Sequence, residues 1–235
     1  MTALGALPVF FCKSVGKNAF SLMMSSAAGI MLASTFFSLL LPALETAENL
    51  SFLILTCGFI LGGLMIIITD IVTGKLHFFS GNEKKKSCAV MCIAVTMHNI
   101  PEGLAIGVAF GAMTAGGGIG AVAAVMLAVG IGIQNFPEGM CIAFPLRANG
   151  VGAFKSFFIG QLSGAVEIIA GVLGALTVTF ASGLLPWALS FSAGAMIAVI
   201  CSELIPESFS SGKIKATIGV IMGFALMMIL DIAFG

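Results

Sequence analysis

The chain has 235 residues, of which 59% are hydrophobic and only 9% charged, and its ten basic and ten acidic residues cancel to zero net charge. With a mean hydropathy of +1.17, it is excluded from the ordinary soluble domains and reads as a polytopic membrane protein. No charged tail, soluble domain or low-complexity arm accompanies the apolar sequence, so a single transmembrane domain over 1–235 is expected.

Breaks in hydropathy predict spans at about 1–12, 18–44, 50–73, 88–113, 119–146, 154–180, 186–207 and 213–234. The expected fold is an all-α polytopic bundle of eight spans. Seven of these can cross a bilayer, which needs about 20 residues. The first cannot, being roughly half that length, so the opening reads as a truncated or incomplete span. A cleaved signal peptide is the weaker reading, because no basic region precedes the apolar run. Thirty glycines suit helices that approach closely in lipid.

The connections sort by charge. Lys13 and Lys17 follow the first span, and Lys75, Lys84, Lys85 and Lys86 follow the third, in a short basic loop over 74–87. Arg147 and Lys155 follow the fifth, and Lys213 and Lys215 follow the seventh. All ten basic residues thus fall in odd-numbered connections, whereas the first even-numbered one carries Glu45 and Glu48. The positive-inside rule then predicts cytoplasmic basic loops and both termini outside; the expected location is the plasma membrane.

Two near-identical strings lie in predicted spans four and five: His98-Asn99-Ile100-Pro101-Glu102-Gly103 and Gln134-Asn135-Phe136-Pro137-Glu138-Gly139. Ionisable groups at membrane depth are costly, which marks them as functional by default. Consecutive spans run antiparallel, so the strings form an inverted repeat at mid-membrane, a pattern typical of transporters. His98 and Asn99 share a helix face with Glu102, as Gln134 and Asn135 do with Glu138. Pro101 and Pro137 release backbone carbonyls within their helices. Brought together, the strings offer two carboxylates, an imidazole and three amides. Two nearby carboxylates in low dielectric resist ionising together. A divalent cation removes that conflict, and imidazole with carboxylate suits zinc, iron, manganese or cadmium. A proline kink with glycine packing explains the Pro and Gly residues but not the mid-span glutamates.

Other intramembrane groups leave alternatives open. Glu167 reads as a third carboxylate ligand or as a hydrogen-bonded helix anchor. Asp70 and Glu203 read as stations on a cytoplasmic exit route or as solvated helix ends. Glu45 and Asp231 sit where they could attract cations at the outer mouth, although acidic residues at a wetted surface are ordinary. Met31 could ligate a soft metal, but one of fourteen methionines is more simply a packing residue. His77 in the basic loop reads as solvated. The six cysteines read as small hydrophobes without disulfides; Cys88 and Cys92, four apart on one helix face, admit a metal role as the lesser alternative.

The two strings resemble the signature of spans four and five in the ZIP (Zrt/Irt-like) divalent metal transporters, bacterial-type branch. The resemblance extends to Ala6-Leu7-Pro8-Val9, similar to the tail of that family's first span, and to Ser202-Glu203-Leu204-Ile205-Pro206-Glu207, similar to its seventh-span motif. It implies eight helices, with spans four and five flanked by inverted three-helix units, and a two-metal centre. By resemblance His98, Glu102, Gln134 and Glu138, with Met31, would hold one metal. Asn99, Glu102, Asn135, Glu138 and Glu167 would hold the second, with Glu102 and Glu138 bridging. Asp70 and Glu203 would serve the cytoplasmic route. Gln134 departs from the histidine of many members, which broadens metal choice. Asn135 stands where some bacterial members carry aspartate, lowering the charge at the second metal, and Ser202 stands where many have histidine. The His-rich regulatory loop of many members is absent between 73 and 87.

The expected function is therefore movement of zinc, or of iron, manganese or cadmium, into the cytoplasm by alternating access. Metal is substrate here and no cofactor is expected. The partners are divalent metal ions and the lipid bilayer; a homodimer is compatible with the sequence, and nucleic acid is not a partner. The alternative is a membrane-embedded metalloenzyme. That needs a zinc with an open position and a general base, and no HExxH or substitute constellation occurs.

Overall fold

Long apolar runs can satisfy their backbone hydrogen bonds in lipid only as helices or closed barrels. The computed structural model is helical, with no strand among its described residues. Those residues are 1–14, 16–47, 51–75, 83–116, 120–180, 182–209 and 212–234; within them the side chains of 73–75, 83–91, 94, 98, 182, 207 and 234 are outside the description.

Helix α1 (Thr2–Ala6) runs into a 3-10 turn at Leu7–Phe10. Helix α2 (Lys17–Ser34) continues through a π-helical stretch, Thr35–Leu40, into α3 (Leu41–Thr46). Helices α4 (Ser51–Lys75), α5 (Glu83–Ala115) and α6 (Ala121–Ala148) follow. Helices α7 (Ala153–Ser163) and α8 (Ala165–Phe180) form one rod interrupted at Gly164. Helix α9 (Leu185–Val199) passes through a second π-helical stretch, Ile200–Leu204, into α10 (Ile205–Phe209), and α11 spans Lys213–Phe234.

Among the described residues, six helical segments are long and apolar enough to cross a membrane: Lys17–Thr46, Ser51–Val72, Ala121–Ala148, Ala153–Phe180, Leu185–Leu204 and Lys213–Ala233. They identify a multi-pass membrane protein. The 33-residue α5 carries the first string. Its backbone turns helical at Glu83, inside the predicted 74–87 connection, because glutamate and three lysines are good helix formers. Glu48 and His77, singled out in the sequence, lie outside the described residues, as do the side chains of Cys88 and His98.

The π-helical stretches have a common cause. Pro42 and Pro206 each follow a serine by four residues, Ser38 and Ser202. Proline offers no N–H to that carbonyl and clashes with it, so the helix widens by a residue rather than break. The most extensive helix pairings are α5 with α8, α2 with α11 and α4 with α9. All three use small residues for close approach, as lipid-embedded helices do. A Cβ at Gly103 would overlap the Glu167 backbone, and one at Gly139 would overlap the backbone of Thr2. The final glycine of each string therefore seats its helix against a neighbour. The outward faces are apolar: Ile60, Leu61, Ile67 and Ile68 on α4, Ile168, Ile169 and Leu173 on α8, and Ile221 and Met222 on α11 are all exposed.

Candidate metal centre

Helices α5 and α6 bring the two strings together in the interior. Glu102, Gln134 and Asn99 have no exposed surface, Asn135 has 3% and Glu138 4%. The Glu102 and Glu138 side chains meet within hydrogen-bonding reach. Two carboxyls in contact away from water need a proton or a cation between them.

One amide holds a member of this pair, and the other two tie the strings to the rod of α7 and α8. Gln134 Nε2 donates to Glu102 Oε1 at 2.7 Å. Asn99 Nδ2 donates to the Ser163 carbonyl at 2.9 Å, where α7 ends before Gly164. Asn135 Nδ2 donates to both oxygens of Glu167, each at 2.9 Å. Each amide thus spends its nitrogen on a protein acceptor. The remaining oxygens (Asn99 Oδ1, Glu102 Oε2, Gln134 Oε1, Asn135 Oδ1 and Glu138 Oε2) are buried without a protein donor. A buried polar atom left unmatched costs about 1–3 kcal/mol. Five buried acceptors without a protein donor thus lie in two adjacent strings.

The donor set fits a borderline metal poorly on oxygen alone. Among the described residues no three His, Cys, Asp or Glu side chains are grouped to cage an ion. The side chain that would add nitrogen, His98, lies outside the described residues, on the turn of α5 preceding Glu102. Glu167 is half-buried and serves here as the acceptor that fixes Asn135. Met31 is buried in the main apolar cluster, 1% exposed.

Two cavities flank the centre. One, of about 540 Å³, is lined by Ser38, Pro42, Glu45, Thr46, Gly120 and Asp231 among others, at the helix ends away from the basic connections. Ser38 Oγ donates to Asp231 Oδ1 at 2.8 Å there, while Asp231 Oδ2 is buried without a partner. The other, of about 320 Å³, lies toward the basic connections and is lined by Phe20, Met24, Glu138, Cys141, Pro145, Ser202 and Glu203 among others. Both acidic residues expected at the outer mouth therefore line one cavity, and Glu203 shares the other with Glu138. Asp70 is half-buried on α4 and does not line the cavity of Glu203. Sequence reasoning missed Cys141, Ser38 and the Ser163 carbonyl. Cys141 lies three residues after Glu138, hence on its face, and Ser38 and Ser202 share their spacing to a proline. The Ser163 partnership, across 64 residues, carries no sequence signal.

The family described as ZIP Zinc transporter matches residues 83–231. The chain is 36% identical to zinc transporter GufA of Myxococcus xanthus, over all of this chain and 94% of that protein. It is 33% identical to zinc transporter ZIP11 of Homo sapiens, again over the whole chain and 94% of the relative. With zinc transporter ZIPB of Bordetella bronchiseptica it shares 34% identity over the whole chain and 78% of that protein. These relatives are named as transporters rather than enzymes. With the doubled Pro-Glu-Gly string buried between α5 and α6, the chain belongs to the ZIP zinc transporter family.

Proposed function

We propose that this chain carries zinc, or a chemically similar divalent cation, across the cell membrane through a site centred on Glu102 and Glu138. The observation that carries the reading is the buried meeting of these two carboxyls, surrounded by amide oxygens with no protein donor. The names of the relatives supply zinc as the first candidate substrate. A divalent ion replaces the repulsion between the carboxylates with two attractive contacts. His98, four residues before Glu102, adds the nitrogen that favours a transition metal over calcium or magnesium.

In this reading the bundle has eight helices in inverted units, with α5 and α6 central and the short α1 as the first. The matched π-helical stretches before Pro42 and Pro206 support such a repeat. Basic connections face the cytoplasm and both termini face outside, so transport by alternating access runs inward. The first ion is held by His98, Glu102, Gln134 and Glu138, with Met31 beside it. A second ion, between Asn99, Asn135 and Glu167 and bridged by Glu102 and Glu138, requires the Asn135 amide to turn its oxygen where its nitrogen now meets Glu167.

Uptake of radioactive zinc into liposomes by purified protein tests the reading. Glu102→Ala and Glu138→Ala are each expected to abolish uptake while leaving a folded, monodisperse protein. Wild-type uptake in either variant refutes the bridging role.

A further inference from the structure

Cys141 stands three residues beyond Glu138 on α6, about 4.5 Å further along the helix axis and on the same face. Both residues line the 320 Å³ cavity toward the basic connections, with Glu203 and Met24 on other helices around it. Glu138 is only 4% exposed, and its Oε2 is buried without a protein partner. The cavity lining thus includes a buried carboxylate and not apolar side chains alone. A cysteine that served only to fill space has no reason to line the same cavity as that carboxylate and Glu203. Cys12 and Cys57, by contrast, are exposed and line neither cavity.

We infer that Cys141 is a soft ligand on the substrate's path: an ion leaving Glu138 is held in passing by the Cys141 sulfur, then by Glu203, with the Met24 thioether facing the same space. The inference rests on the proposed transport through Glu138. The ligand class is a thiophilic divalent cation, zinc or cadmium rather than manganese. As the metal–sulfur bond forms, the S–H bond breaks and its proton passes to water in the cavity; when the ion moves on, the thiolate recovers a proton from water. Among the described residues no three such side chains cage an ion. A station of one or two protein ligands completed by water suits a path, because conduction requires sites weak enough to leave.

The test uses the full chain in liposomes, with Cys12, Cys57, Cys88, Cys92 and Cys201 replaced by serine so that Cys141 is the one remaining thiol. A small methanethiosulfonate reagent is expected to modify Cys141 in the absence of metal. Cadmium should block that modification and manganese should not. Cadmium should also produce an ultraviolet thiolate-to-cadmium charge-transfer absorption, in this chain and as a difference between wild type and Cys141→Ser. In uptake assays Cys141→Ser should lower the cadmium-to-manganese ratio severalfold. Unblocked modification, or no charge-transfer absorption, while Glu138→Ala still abolishes uptake removes Cys141 from the path and leaves the centre standing. Wild-type uptake by Glu138→Ala overturns the transport reading itself.

Discussion

At the residue scale, the centre is a set of acceptors whose donors have been assigned elsewhere. Gln134 illustrates this. Its nitrogen holds Glu102 Oε1 at 2.7 Å, leaving its oxygen as a hard, weak ligand. An imidazole at this position is a stronger ligand for zinc and a less favourable one for manganese. Gln134→His is therefore expected to raise zinc affinity by roughly tenfold, about 1.4 kcal/mol, and to shift the ranking toward zinc. Competition binding of zinc against manganese in wild type and variant checks this, and an unchanged ranking rules out Gln134 as a selectivity residue. Faster uptake need not accompany tighter binding, since a tighter site also releases more slowly.

The glutamates were legible in the sequence because charge at membrane depth is exceptional in an apolar context. Their partners were not. The sequence leaves Glu167 open between ligand and anchor, and only the fold shows both its oxygens held by Asn135. Cys141 looks like any small hydrophobe until the cavity beside it is known. The difference is physical: burial cost is written in composition, whereas a hydrogen bond between distant helices depends on their rotation and depth, which small residues on the neighbouring faces decide.

At the element scale, those small residues control whether the centre forms. Gly103 ends the first string and lies against the backbone of Glu167, so any Cβ pushes α5 away from α8. That displacement also moves Asn99 from the Ser163 carbonyl. Gly103→Ala is expected to cost about 1–3 kcal/mol, as overpacking does, and to reduce metal binding. Gly63→Ala is the matched control, because its Cβ would meet the nearest atom, the Gly194 carbonyl oxygen, at an ordinary 3.5 Å. Thermal unfolding of the two variants in detergent compares them; equal melting temperatures would mean that the α5–α8 contact has room to spare. Helix existence was legible from hydropathy, and the ends fell within a few residues of expectation for most spans. The π-helical stretches were not legible as such. A proline inside an apolar helix announces a break, but whether the backbone kinks or widens depends on what packs around it.

At the scale of the whole molecule, the two cavities are unequal in what they reach. The one near the basic connections extends to Glu138, while the one holding Glu45 and Asp231 is lined by no residue of either string. On the proposed alternating access, a cavity that reaches Glu138 from the basic side alone is what a bundle open on that side would have. On the proposed orientation that side is the cytoplasm. All ten basic residues lie in alternate connections, and lysine and arginine in short loops are retained in the cytoplasm. A cysteine placed at Lys85 in a chain freed of its native cysteines should therefore react with a membrane-impermeant reagent only after the cells are opened. One placed at Glu45, which is exposed at the opposite mouth, should react in intact cells. Labelling at Lys85 from outside would invert the orientation, and with it the direction of transport, without disturbing the centre itself. The two positions must also answer oppositely in one preparation, since a reagent that reached both from outside would indicate leaky cells rather than topology.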